Sequence, residues 1–170
     1  MSKTAAVVLA LLSLVLFSTA SKAQLIQSGN VYAGVAYASS VDVIDRLTFR
    51  GFDGSAEVKP FLRYPFLGFV LDGSGIYRAG VVQYNAVLGP RISRNYGKWR
   101  FFVHATAGEQ FTTTGGESFN TIIEDVGAGA DRRLPFKRFS WRLQLDVVHS
   151  HLLDANQYDV RGSTGLVWRF

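Results

Sequence analysis

The chain has 170 residues, with 18 lysines and arginines against 13 aspartates and glutamates, and no cysteine. That length suits one domain with a full core, and the missing cysteines exclude disulfides, a cysteine-linked lipid anchor and a thiolate metal site. The formal net charge of +5 overstates the case for a nucleic-acid partner: Lys3 and Lys22 lie in the first 23 residues with no acid beside them, so the remainder carries +3 and no nucleic acid is expected.

Lys3 precedes an apolar run, Ala5 to Phe17, and small residues then lead to Ser21-Lys22-Ala23. A short positive start, a hydrophobic stretch and a small-x-small exit describe a secretory signal peptide. The run is shorter than the ~20 residues of a spanning helix. Cleavage after Ala23 is expected, with Ala20 as a second small site. Residues 24–170 contain no linker, low-complexity stretch or repeat and read as one domain.

Beyond residue 24 alternation replaces any helical period. Strand-like runs occur at 30–39, 49–60, 65–73, 80–91, 98–109, 120–132, 139–150 and 159–170. They exceed the ~5–6 residues common in soluble sheets and match the ~9–11 tilted residues of a membrane-crossing strand. The connections alternate. Those at 60–65, 93–98 and 134–139 are compact and built on Pro, Gly and Asn, whereas 40–47, 73–79, 110–119 and 151–158 read as mostly longer, polar loops. Short turns at one rim and long loops at the other is the arrangement of outer-membrane barrels, with the short turns periplasmic.

The faces are separable by parity. Trp99, Phe101, Val103, Ala105 and Ala107 oppose Arg100, His104 and Thr106; Phe139, Trp141, Leu143, Leu145 and Val147 oppose Ser140, Arg142, Gln144 and Asp146. The last run opposes Val160, Leu166, Trp168 and Phe170 to Asp159, Arg161, Ser163 and Arg169. Alternation alone fits a soluble barrel with an apolar interior as well as a membrane barrel with an apolar exterior. The tryptophans separate the two. With both chain ends at the short-turn rim, Trp99, Trp141 and Trp168 fall at one height on the apolar face, where an indole suits the boundary between apolar and wet surroundings. Together with Phe170 they are expected to form half of an aromatic girdle.

A final strand ending on Phe170, with alternate hydrophobic residues behind it, resembles the C-terminal signal read by the outer-membrane barrel-assembly machinery. The blocks "EVKPFLRYPFLGFVLDGSG", "LGPRISRN", "FFVHATAG", "GAGADRRL" and "STGLVWRF" resemble the small eight-stranded outer-membrane β-barrel proteins of Gram-negative bacteria, within the OmpA-like superfamily. The resemblance implies an all-β fold, an eight-stranded antiparallel up-and-down transmembrane barrel. It also implies periplasmic N- and C-termini and contact with phospholipid and lipopolysaccharide. A monomer is expected.

Eight strands leave a lumen just wide enough for side chains. Parity directs Glu57, Asp72, Gln83, Asn85, Arg91, Arg100, His104, Asp125, Asp131, Arg142, Gln144, Asp146 and Arg161 inward. Buried charges must be paired or wet, so an internal ion-pair network is expected among Glu57, Arg100, His104, Asp125, Asp131, Arg142, Asp146 and Arg161. Arg142 and Arg100 are placed near Asp125, Asp131 and Asp146, with Gly127, Gly129 and Gly165 making room for long arginines. Charge is also sorted along the barrel. Lys59, Arg63, Arg91, Arg94, Lys98, Arg100, Arg132, Arg133, Lys137, Arg138 and Arg169 fall near the short-turn rim, where they would attract anionic phospholipid headgroups. Asp42, Asp45, Glu109, Glu117, Asp154 and Asp159 fall toward the long loops.

Catalysis has one candidate, His149-Ser150-His151. A His–Ser pair must converge on one point, yet strand neighbours point to opposite faces. Lipid A deacylase barrels, which this chain resembles in size, place His and Ser two apart, and that spacing fails here. No catalytic, cofactor or metal residue is assigned. The expected role is structural or surface-interactive, with a narrow channel, a lipid A-modifying enzyme and a secreted soluble barrel as the alternatives.

Overall fold

The computed structural model describes residues 28–40, 48–61, 63–78, 80–152 and 155–170. The leader expected over 1–23 and the connection at 41–47 lie outside them, as do Asp42, Asp45 and Asp154. The described residues form eight strands: β1 (Ser28–Ser40), β2 (Thr48–Lys59), β3 (Leu67–Arg78), β4 (Val81–Tyr96), β5 (Trp99–Thr114), β6 (Glu117–Arg133), β7 (Phe139–Leu152) and β8 (Ala155–Arg169). Each pairs antiparallel with the next, and β8 returns to β1, closing the barrel.

Closure runs from Asn30 opposite Arg169 to Ser40 opposite Asp159. Phe170 extends it: its N–H donates to the Gly29 carbonyl, and its own carbonyl accepts from the Gly29 N–H, both at 3.2 Å. A side chain on Gly29 would collide with the Phe170 ring, so glycine here seats the terminal aromatic. The seam also holds a close backbone approach at Gly34 opposite Gly165, where a Cβ on Gly165 would strike the Ala33 carbonyl and the Gly34 Cα.

Three of the expected long loops are largely strand. Strand β3 continues to Arg78, β7 runs on to Leu152 and β8 begins at Ala155. Strands β5 and β6 run on to Thr114 and from Glu117, leaving only residues 115–116 between them. Thr112, Thr113 and Thr114 favour extended backbone, and the Thr113 and Ser118 hydroxyls lie 3.1 Å apart across the ladder. Gly115 and Gly116 both take positive φ, +58° and +87°, the conformation a two-residue hairpin matched to strand twist requires. Polar composition had suggested loop where β-branched residues and a Gly-Gly turn make a hairpin.

Orientation of the faces is unambiguous. Trp99, Trp141 and Trp168 are 44%, 48% and 41% exposed on the outer wall. Trp99 and Trp141 both stand opposite Arg132, and Trp168 stands opposite Phe139, so all three lie near the rim that carries the termini. Phe170 is also exposed there. A second exposed aromatic set, unremarked in the sequence, lies toward the far rim: Tyr37, Phe52, Tyr77, Tyr84, Phe111 and Tyr158. Tyr77 and Tyr84 meet edge to face with ring centroids 6.0 Å apart. Between the two sets the wall carries Val35, Leu71, Leu88, Val103, Val126, Leu143 and Leu145, all exposed.

Gly165→Val tests the closing seam. Forcing a branched side chain against the β1 backbone should cost about 1–3 kcal/mol as overpacking strain, read as a lowered denaturant midpoint of the folded barrel; an unchanged midpoint would show that the seam has slack.

Candidate functional site in the barrel lumen

Because side chains alternate across a strand, the face opposite the apolar wall must fill the lumen, and it does so with charge. All thirteen residues directed inward by parity are buried. So are Asn30, Tyr32, Asp53, Ser55, Ser74, Ser93 and Phe102, which the sequence reading left out although they obey the same parity.

The charges separate into two layers. Nearer the termini, Arg142 meets Asp131 through Nε to Oδ1 at 2.8 Å and Nη2 to Oδ2 at 3.2 Å. Arg169 also reaches Asp131, at 3.3 Å. Arg100 donates to Glu57 and to the Ser93 hydroxyl, Asn30 donates to Glu57 at 2.9 Å, and Arg91 Nη1 lies 3.5 Å from Glu57. Lys59 closes this layer at the rim, donating to the Pro65 carbonyl at 2.7 Å and to Ser93 at 2.8 Å. The ring of Phe102 lies beneath two guanidiniums, with Arg91 Cζ at 4.3 Å and Arg142 Cζ at 4.6 Å from its centroid. Arg142 Cζ also lies 4.8 Å from the Tyr32 ring centroid. Desolvated contacts of this kind contribute on the order of 2 kcal/mol.

The second layer centres on Arg161. Its guanidinium donates to Asp125 at 2.8 Å, to Asp72 at 3.2 Å and to Ser74 at 2.6 Å, while its Nε donates to Asp146 at 3.1 Å. Asp53, also buried, lies within electrostatic reach of the same group. His104 Nε2 sits 3.3 Å from Asp146 Oδ1, and Gln144 donates to Asp146 at 3.0 Å.

The expected pairing agrees with the structure at Asp131, which Arg142 grips and Arg100 approaches at 4.0 Å. It is corrected at the other two acids: Arg100 donates to Glu57, and Asp125 and Asp146 belong to Arg161. The reason is register: Arg142 stands directly opposite Asp131, and Arg161 directly opposite Asp146. The glycines also act otherwise than expected. A Cβ on Gly127 would strike Asp146 and the His104 ring, and one on Gly129 the Phe102 ring; they make room for an imidazole and a phenyl ring, not for arginines. Of the cations placed near the short-turn rim, Arg91 and Arg100 are buried in the lumen, the face to which parity directs them.

Toward the far rim two apolar clusters, one of Val87, Ile123 and Val148 and another of Ala36, Ala38, Phe49 and Ile76, share the lumen with buried Gln83, Asn85, Gln110, Thr112, Ser150 and Asp159. His104, Asp125 and Asp146 bring potential ligand atoms within 4.8 Å of one another. Arg161 already holds both carboxylates there, at 2.8 Å and 3.0 Å, so the arrangement is that of an ion-pair cluster. Ser150 is buried in the lumen, while His149 lies on the wall, stacked on Tyr158 at 4.8 Å and 3.7 Å from Glu124. The two cannot act on one substrate atom. The His151 side chain lies outside the described residues.

No family model matches the chain, and no curated protein matches it in sequence. Solved structures match its fold. Neisserial surface protein A (NspA) superposes with a TM-score of 0.68 at 14% identity, covering 84% of this chain and 97% of that one. Ail, the attachment invasion locus protein of Yersinia pestis, gives 0.55 at 17% identity over 84% and 98%. The N-terminal β-barrel domain of Pseudomonas aeruginosa OprF gives 0.56 at 14% identity over 84% and 97%.

Replacing Arg161 by Met should destabilise the barrel by about 3–5 kcal/mol, since buried carboxylates would lose their counter-ion. Adding Asp125→Asn and Asp146→Asn to that variant should recover most of the loss. Guanidinium unfolding of the three proteins checks this; an Arg161→Met protein as stable as wild type would show the layer to be solvated rather than paired. The fold itself is that of the small eight-stranded outer-membrane β-barrels.

Proposed function

We propose that the protein is an outer-membrane β-barrel with a structural or surface-interaction role and a lumen sealed by its own side chains. The observation that carries this reading is inversion. Arg91, Arg142, Arg161, Glu57, Asp131 and Asp146 are buried inside, while a continuous apolar wall between two aromatic sets is exposed outside. Soluble monomers rarely expose apolar patches beyond several hundred Å², whereas a barrel in lipid requires this arrangement, with aromatics at both interfaces. Phospholipid and lipopolysaccharide are then its surroundings.

In this reading residues 1–23 are removed on export, both termini face the periplasm, and the barrel-assembly machinery inserts the chain as a monomer. Two features support a plug over a channel. The arginines clasping Phe102 and the Val87–Ile123–Val148 cluster interrupt the polar lining at different levels. The opposite faces of His149 and Ser150 support a non-enzymatic role. A surface role draws support from the names of two fold neighbours, a surface protein and an attachment invasion locus protein.

Membrane fractionation with a heat-modifiability gel tests the reading. The protein should partition with outer membranes and migrate differently before and after boiling, give no unitary conductance in planar bilayers, and leave the lipid A mass spectrum unchanged. Recovery in the soluble fraction without detergent would overturn the membrane assignment and favour a secreted ligand carrier.

A further inference from the structure

The outer wall near the terminal rim carries a groove of about 690 Å³, a size typical of sites for small molecules. Its two walls are indoles. Trp99 in β5 and Trp141 in β7 flank the same position of β6, Arg132, one from each side. With neighbouring strands about 4.8 Å apart, the strands bearing the walls stand roughly 10 Å from each other. The floor is Ala130, the next outward residue of β6 toward the barrel middle, where a methyl group leaves the slot open between Phe101 and Leu143.

The mouth is cationic. Lys98, Arg132 and Arg133 line it, and among the described residues no carboxylate does. The adjacent acid in β6, Asp131, points into the lumen and is engaged by Arg142 and Arg169. The Arg132 guanidinium carbon lies 5.7 Å from the Trp99 ring centroid, which steers it over the groove wall, and the Arg133 N–H donates to the Lys98 carbonyl at 2.8 Å, extending the β5–β6 ladder so that the two residues stand side by side at its end.

We propose that this groove binds one anionic glycerophospholipid of the adjoining leaflet. Its phosphodiester sits among Lys98, Arg132 and Arg133, and an acyl chain lies between Trp99 and Trp141 over Ala130. The chemistry selects the headgroup: without a carboxylate to receive an ammonium, a phosphatidylglycerol-type headgroup is preferred over phosphatidylethanolamine. The proposal rests on the membrane reading above and narrows a diffuse basic rim to one site. Lys137 and Arg138 share that rim but do not line the groove.

The test is native mass spectrometry of the folded protein released from detergent micelles containing equal phosphatidylglycerol and phosphatidylethanolamine, each variant first checked by its heat-modifiable migration. Wild type should retain a single phosphatidylglycerol with roughly tenfold preference. Arg132→Gln with Arg133→Gln should bring that preference near unity, and Ala130→Phe, which fills the floor and leaves the cations intact, should abolish retention. Lys137→Gln with Arg138→Gln should behave as wild type. A folded wild type that retains both lipids equally, or a Lys137/Arg138 variant that loses the preference as fully as the Arg132/Arg133 one, overturns the groove while leaving the barrel in the membrane. A wild type that forms no heat-modifiable barrel in micelles overturns the membrane reading and the groove together.

Discussion

The ladder between β1 and β8 is the contact on which the rest of the molecule depends. An open sheet would present two rows of unpaired backbone groups, intolerable in hydrocarbon, where each costs several kcal/mol. Closing it pairs every strand on both sides and fixes the number of strands around the lumen. With eight strands the interior has the width of packed side chains, so closure also decides that the inward residues must satisfy one another. Gly29, Gly34 and Gly165 mark where that ladder is tightest.

The inward residues meet the demand by layering. An isolated buried ion costs several kcal/mol even after relaxation, and only well-placed partners offset it. Near the termini, arginines outnumber acids and the excess is spread over the rings of Phe102 and Tyr32. Around Arg161 the imbalance reverses, with Asp72, Asp125 and Asp146 sharing a single guanidinium. Each layer departs from neutrality in the opposite sense from the other, and their proximity along one axis holds the interior near balance. Beyond them apolar clusters share the far end with buried Gln83, Gln110 and Asp159, the last accepting a hydrogen bond from Gln157.

The two rims differ in chemistry as well as position. The terminal rim combines tryptophan with exposed Arg63, Arg94, Lys98, Arg132, Arg133, Lys137 and Arg138. The far rim has tyrosine and phenylalanine, and its β5–β6 hairpin carries threonine, serine and glycine past the aromatic set. In the proposed orientation an interface crowded with phosphates suits the first composition, and the β5–β6 hairpin is turned toward the outside.

Period-two alternation made the strands, the inward set and the outward tryptophans legible from the chain alone, because side-chain direction in a strand is local. Phe102 shares parity with Arg100 and His104 and so belongs to the inward set, although its aromatic ring runs against the polar character of that face. Partners were not legible. Arg161 reaches Asp72, 89 positions away, across the lumen, and which acid an arginine finds depends on register and strand tilt, properties of the closed barrel that no single strand encodes. Hairpin boundaries at Thr112–Thr114 failed for a related reason: polar threonines read as loop until a paired neighbour makes extended backbone the cheaper state. Composition and alternation by themselves thus determined an eight-stranded β-chain with a greasy face, an ionic face and tryptophans near one rim, and only the tertiary structure decided which charges meet, where the second aromatic set stands, and that Lys98, Arg132 and Arg133 line a groove between two indoles.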